Sequence, residues 1–167
     1  MPSWPQPRRG RTLTDVQKSF ENLIALAIER EEEAYDFYMT AADNAETQAS
    51  RKLLKDLAQQ EVGHKEKLQA ALKEDVCSTF SCTLEEMKEL GLGDYLKDIP
   101  LKAGSSPQEI LVVAIKREEG AFEFYKSLSD LTDNPSHRVV FETLAKEEQH
   151  HKRRLENMYD DVFQPWM

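Results

Sequence analysis

The chain has 167 residues, enough for one domain with a real core; 32 % of them are charged, and glycine (6) and proline (7) are few. That mixture fits a helical protein better than a sheet, and the formal net charge of −9 argues against a general nucleic-acid binder, which needs a basic face. No apolar run of about 18 residues occurs, so no membrane partner is expected, and the basic start MPSWPQPRRGR has no apolar signal core behind it, which leaves the cytoplasm as the expected location.

Residues 1–13 read as a flexible extension. Thr14 with Gln17 forms a capping-box pattern that opens a first helix, predicted to run to about Ala45. On it Ile24, Ala27, Ile28, Glu31, Tyr35 and Tyr38 follow the three-and-four spacing of a core face. Thr47 caps a second helix reaching about Lys73, with Leu54, Leu57, Glu61, His64, Leu68 and Leu72 on its stripe. Residues 74–105 are too many for a tight turn. They hold their own capping box, Thr83 to Glu86, and Gly91, so a short helix inside one long crossover is predicted. Cys77 and Cys82 lie here; two cysteines are too few for a disulfide framework and lack the second pair of a four-cysteine metal site, so two reduced thiols are expected.

Ser106-Pro107-Gln108-Glu109 puts a cap, an N1 proline and an N3 glutamate together and starts the third helix. Its stripe is Leu111, Ile115, Glu118, Phe122 and Tyr125. Asn134-Pro135 repeats the cap-plus-proline logic for a fourth helix, predicted to end near Tyr159, with Leu144, Glu148, His151 and Leu155 on its stripe. The closing Phe163-Gln164-Pro165-Trp166 is an aromatic tail suited to docking on a partner subunit. Short links within each helix pair make antiparallel hairpins.

The two pairs are copies of each other. Ala27–Tyr38 (AIEREEEAYDFY) and Ala114–Tyr125 (AIKREEGAFEFY) are identical at eight of twelve positions, at an offset of 87. The same ungapped offset aligns Arg51–Leu68 with Arg138–Leu155 at seven of eighteen positions, including a Glu and a His three residues apart. The chain is a duplicated helix hairpin.

Each helix therefore sends a carboxylate, and two also send an imidazole, into one central layer: Glu31, Glu61, His64, Glu118, Glu148 and His151. Four unpaired carboxylates in a core repel one another and cost heavily in lost hydration. Divalent cations neutralise them and use the histidines as ligands. Oxygen-rich donors with one imidazole per metal suit two iron ions, with manganese or a mixed pair also fitting, whereas zinc favours tetrahedral nitrogen and sulfur. The i, i+3 spacing of Glu61/His64 and of Glu148/His151 puts each pair on one helical face, and a Glu from each of two helices with Glu-x-x-His from the other two is the di-metal carboxylate pattern of bundles. Glu147-x-x-His150 fits the same short motif, but the repeat register and the leucines four residues after each histidine favour Glu148 and His151. Tyr38 and Tyr125 lie two turns beyond Glu31 and Glu118; spacing alone leaves open whether they are core aromatics or hydrogen-bond donors to site carboxylates. His137, Glu29, Glu32, Glu33, Glu119 and Glu123 are expected at the surface.

At AIEREEEAYDFY with EVGH, and AIKREEGAFEFY with EQHH, the sequence resembles the rubrerythrin branch of the ferritin-like family across all four main helices. The resemblance implies an all-α, ferritin-like antiparallel four-helix bundle with one long crossover, a single such domain across 1–167. It also implies a non-haem di-iron centre on the six residues above, a homodimer, and reaction of reduced iron with peroxide or oxygen. Two departures stand out. The sequence has none of the paired CxxC motifs of the rubredoxin-like module that well-known members carry, so a separate electron donor such as a rubredoxin is expected. It also has Ala121 where those members place an extra glutamate one turn after the third-helix ligand. A rubrerythrin-like peroxidase is thus the leading expectation, and a ferroxidase or iron-handling protein without substrate turnover the alternative.

Overall fold

The computed structural model describes residues 15–73, 105–132 and 134–163, the side chains of 15–20, 22 and 23 excepted. The extension 1–13, Thr14 and the Gln17 side chain that would complete its capping box, the crossover helix with Cys77 and Cys82, and the tail after Phe163 lie outside these described parts. Four helices make up the described chain: α1 (Asp15–Asp43), α2 (Gln48–Lys73), α3 (Pro107–Leu131) and α4 (Pro135–Phe163). No strand occurs among the described residues, and none of these helices is long and apolar enough to cross a membrane. The architecture is an all-α four-helix bundle of two hairpins, α1 with α2 and α3 with α4, which approach each other most closely through α2 and α4.

Both hairpins turn by the same chemistry, at positions the repeat equates. Thr47 Oγ1 accepts from the Ser50 amide at 3.1 Å to start α2. Its counterpart Asn134 accepts from the Ser136 and His137 amides at 2.9 and 3.3 Å to start α4. Arg51 reaches back to donate to the carbonyls of Ala42 and Ala45 at the end of α1, and Arg138 donates to the Thr132 carbonyl at 2.7 Å at the end of α3. Each hairpin thus satisfies the orphaned groups of one helix end with side chains from the start of the next. Ser106 completes its capping box with Glu109 at the start of α3, a device worth about 1 kcal/mol.

Two boundaries differ from the sequence reading. α1 ends at Asp43 rather than Ala45, where the Asn44 side-chain amide takes the Thr40 carbonyl and the Arg51 guanidinium the Ala42 carbonyl. α4 runs to Phe163, a turn past Tyr159. Nothing before Pro165 breaks it, the Tyr159 and Phe163 rings pack at 5.3 Å, and Gln108 donates to the Tyr159 hydroxyl at 2.5 Å, tying this turn to α3.

The core falls into two apolar clusters related by the same offset. One gathers Ile24, Ala27, Leu68, Phe124, Tyr125, Leu128, Phe141, Leu144 and Ala145. The other holds their repeat partners, Leu111, Ala114, Leu155, Phe37, Tyr38, Ala41, Leu54, Leu57 and Ala58, together with Ala42. All four helices contribute to both. On every helix the polar stripe residues fall between the stretch that feeds one cluster and the stretch that feeds the other. A polar layer is therefore sealed between two apolar ones.

Candidate metal centre

The sealed layer holds the six residues singled out above. Glu31, Glu61, Glu118 and Glu148 are each no more than 5 % exposed, and His64 and His151 are 1 % and 0 % exposed. The helical i, i+3 spacing delivers each Glu-x-x-His pair from α2 and α4, and α1 and α3 supply one carboxylate each.

Their donor atoms form two groups that share two members. Glu31, Glu61, His64 and Glu148 offer ligand atoms all within 4.8 Å of one another, and so do Glu61, Glu118, Glu148 and His151. Glu61 presents Oε2 to His64 Nδ1 at 3.2 Å and Oε1 to His151 Nδ1 at 3.1 Å. Glu148 presents Oε1 to His64 Nδ1 at 2.5 Å and Oε2 to His151 Nδ1 at 3.8 Å. Glu31 and Glu118 belong to one group each, 3.6 Å from their histidines. The imidazoles lie parallel, 5.4 Å between centroids and 12° between planes. Two carboxylates that divide their oxygens between neighbouring positions, each position with one further carboxylate and one imidazole, are a donor set compatible with a two-ion centre.

Glu61 Oε1, His64 Nδ1, Glu118 Oε2, Glu148 Oε1 and His151 Nδ1 are buried and, close as they come to one another, make no hydrogen bond of acceptable geometry. Orphaned polar atoms in a core are costly, and five of them on converging side chains fit cations that would coordinate them all. Protons are the only charge balance these residues provide among themselves. Burial, and then the nearby Glu61 carboxylate, raises Glu31 well above the usual range, and burial with Glu118 and Glu61 raises Glu148. Burial works upward on Glu61 as well, but its contacts with Glu31, His151 and His64 hold it low. Burial works downward on both histidines and is outweighed by carboxylates: by Glu148 and Glu147 at His64, which is raised far, and by Glu118 and Glu61 at His151, which rises to about 9. A cation held by these residues would displace these protons.

Around the donors the structure adds contacts that the sequence alone left open or hid. Tyr38 and Tyr125 are core aromatics and also site donors, and they cross. Tyr38 donates to Glu118, and Tyr125 donates to Glu31. Burial raises both phenols further, so they remain neutral donors. His64 Nε2 bonds Glu147 Oε2 at 2.6 Å, and His151 Nε2 bonds Gln60 Oε1 at 2.5 Å. Glu147 and Gln60 went unrecognised as histidine partners. The signal was present: they are repeat equivalents, each directly before a shared carboxylate.

The rival His150 is exposed. Its counterpart in the first hairpin is Gly63, where an added Cβ would meet open space. Glu32 and Glu119 are exposed as expected and pair with the equivalent lysines Lys65 and Lys152. Glu29, Glu33 and Glu123 are half-buried rather than fully at the surface, but lie outside both donor groups. His137 was expected at the surface and is instead buried at 3 % exposure, because it stands one helical turn before Phe141 and so shares the buried face of α4.

A duplicated helical bundle that seals carboxylates and histidines between two apolar layers is the architecture of a ferritin-like protein with a centre compatible with two iron ions. The chain belongs to the rubrerythrin family, whose model matches residues 3–72 and 109–166. A hypothetical protein from Pyrococcus furiosus shares the fold, with a TM-score of 0.65 and 20 % identity over 92 % of this chain and 96 % of that one. No curated protein matches the chain significantly.

Proposed function

We propose that Glu31, Glu61, His64, Glu118, Glu148 and His151 hold two iron ions, and that the loaded protein is an oxidoreductase that reduces hydrogen peroxide. The observation that carries this reading is the set of five buried donor atoms that make no hydrogen bond and converge in two groups sharing Glu61 and Glu148. When bound, a pair of ferrous ions supplies the two electrons that, with two protons, reduce one hydrogen peroxide to two waters. The protein's part is to prepare that site. Glu31 and Glu118 complete one position each, and Glu61 and Glu148 hold the two positions together. Tyr38 and Tyr125 fix the terminal carboxylates by donating to them, and the flanking apolar clusters keep bulk water away. Return of the centre to its reduced state draws on a separate electron donor such as a rubredoxin.

Ala121 favours a second reading, oxidation of ferrous iron by oxygen, because no carboxylate stands one turn after Glu118 to serve peroxide chemistry. Stopped-flow mixing of the anaerobically ferrous-loaded protein with peroxide and with oxygen, separately, tests both. The expected result is one fast oxidation by peroxide followed by a stall, with turnover restored by adding a rubredoxin. Fast oxidation by oxygen with a slow peroxide reaction selects the ferroxidase reading, and inertness to both over minutes removes the enzyme reading altogether.

A further inference from the structure

The two halves of the centre present the same donors, but the groups behind their histidines differ. His64 Nε2 faces Glu147 Oε2 at 2.6 Å, with Lys67 Nζ 3.2 and 3.3 Å from the two oxygens of that carboxylate. His151 Nε2 faces Gln60 Oε1 at 2.5 Å. The Gln60 amide nitrogen in turn faces Asp56 Oδ2 at 3.4 Å, and Arg154 holds the same oxygen at 2.8 Å. Behind His64 there is a carboxylate in direct contact; behind His151 there is a neutral amide, with a carboxylate one step further out. Both histidines turn Nδ1 inward, so in each case the outward group accepts from Nε2–H and fixes the same tautomer.

A carboxylate acceptor draws on Nε2–H more strongly than an amide oxygen does, and makes the opposite ring nitrogen the better donor. We propose that this Glu/Gln exchange makes the two metal positions unequal. The first divalent ion settles among Glu31, Glu61, His64 and Glu148, and the second among Glu61, Glu118, Glu148 and His151. Glu147 and Gln60 are positioning residues: they touch no ion and act through the imidazoles. The inference rests on the reading that these six residues hold two ions. Changes at such outer partners alter metal affinity by roughly 10- to 100-fold, so two resolved binding steps are expected.

Anaerobic calorimetric titration with cobalt(II), which needs no turnover, tests this. The wild-type chain should bind two ions in steps at least about tenfold apart in Kd, a gap of the size such outer partners produce. Glu31→Ala should remove the tight step and Glu118→Ala the weak one. Glu147→Gln should merge the steps by weakening the first, and Gln60→Glu should merge them by tightening the second. The double exchange Q60E/E147Q should restore two steps, with Glu118→Ala now removing the tight one. That reversal separates tuning from mere structural damage, since a damaged bundle would not regain resolved steps. Two ions bound with steps unchanged by either single exchange would overturn this inference while leaving the di-metal reading intact. No binding by the folded wild-type chain would overturn both.

Discussion

Two phenols join the halves of the centre. Because Tyr38 donates to Glu118 and Tyr125 to Glu31, each hairpin fixes the terminal carboxylate of the other. Removing one hydroxyl leaves a buried carboxylate oxygen short of a donor, at a cost of about 1–3 kcal/mol. Tyr38→Phe should therefore weaken the ion on the His151 side, and Tyr125→Phe the ion on the His64 side, with cobalt binding as the readout. Loss on the same-hairpin side instead would refute the crossed contacts. The six converging residues were legible in the sequence because the repeat put two weak motifs in register, and a carboxylate in the middle of an apolar stripe has few benign explanations. The direction of the tyrosines was not legible. Seven residues of helix place Tyr38 on the face of Glu31, but spacing along one helix does not say which carboxylate of another helix stands opposite. Glu147 was visible only as part of a rival ligand motif, since its true partner lies 83 positions away.

The helices were read best at their starts and least well at their ends. Caps at Thr47, Ser106 and Asn134 are local chemistry, written within four residues, and each forms as the sequence indicates. The end of α4 depends on Tyr159 packing on Phe163 and bonding Gln108, the latter a contact across 51 positions that no local pattern carries. The same duplication sets the energetics of the elements. Leu57 on α2 and Leu144 on α4 occupy equivalent, fully buried positions in the two clusters. Leu57→Ala and Leu144→Ala should each cost about 2–5 kcal/mol, and by similar amounts, measured by urea unfolding of the metal-free protein. A large cost at one site and almost none at the other would show that the clusters do not share the load as their geometry implies.

Across the whole molecule, the polar layer ties stability to pH and to metal. His151 rises from an ordinary 6.5 to about 9 in the fold, so between those values the metal-free folded chain holds a proton that the unfolded chain has released. Its contribution is complete below pH 6.5 and is lost as pH rises through 9, a change on the order of 3 kcal/mol at most. Glu31 and Glu148, raised above 4.5, act with the same sign, while the lowered Glu61 contributes above 4.5 and loses its contribution as pH falls. The Tm of the chelator-treated protein should thus fall from pH 6.5 to 9.5. The metal-loaded protein should be nearly flat over that range, because ions replace the protons. A metal-free Tm that climbs over this interval would contradict the assigned electrostatics. The most direct test of the central claim is elemental analysis of the anaerobically iron-reconstituted, desalted protein, with circular dichroism alongside to verify the helices. Two irons per chain are expected, falling in Glu31→Ala and Glu118→Ala without loss of helix. A folded, fully helical chain that retains neither iron nor manganese would contradict the account.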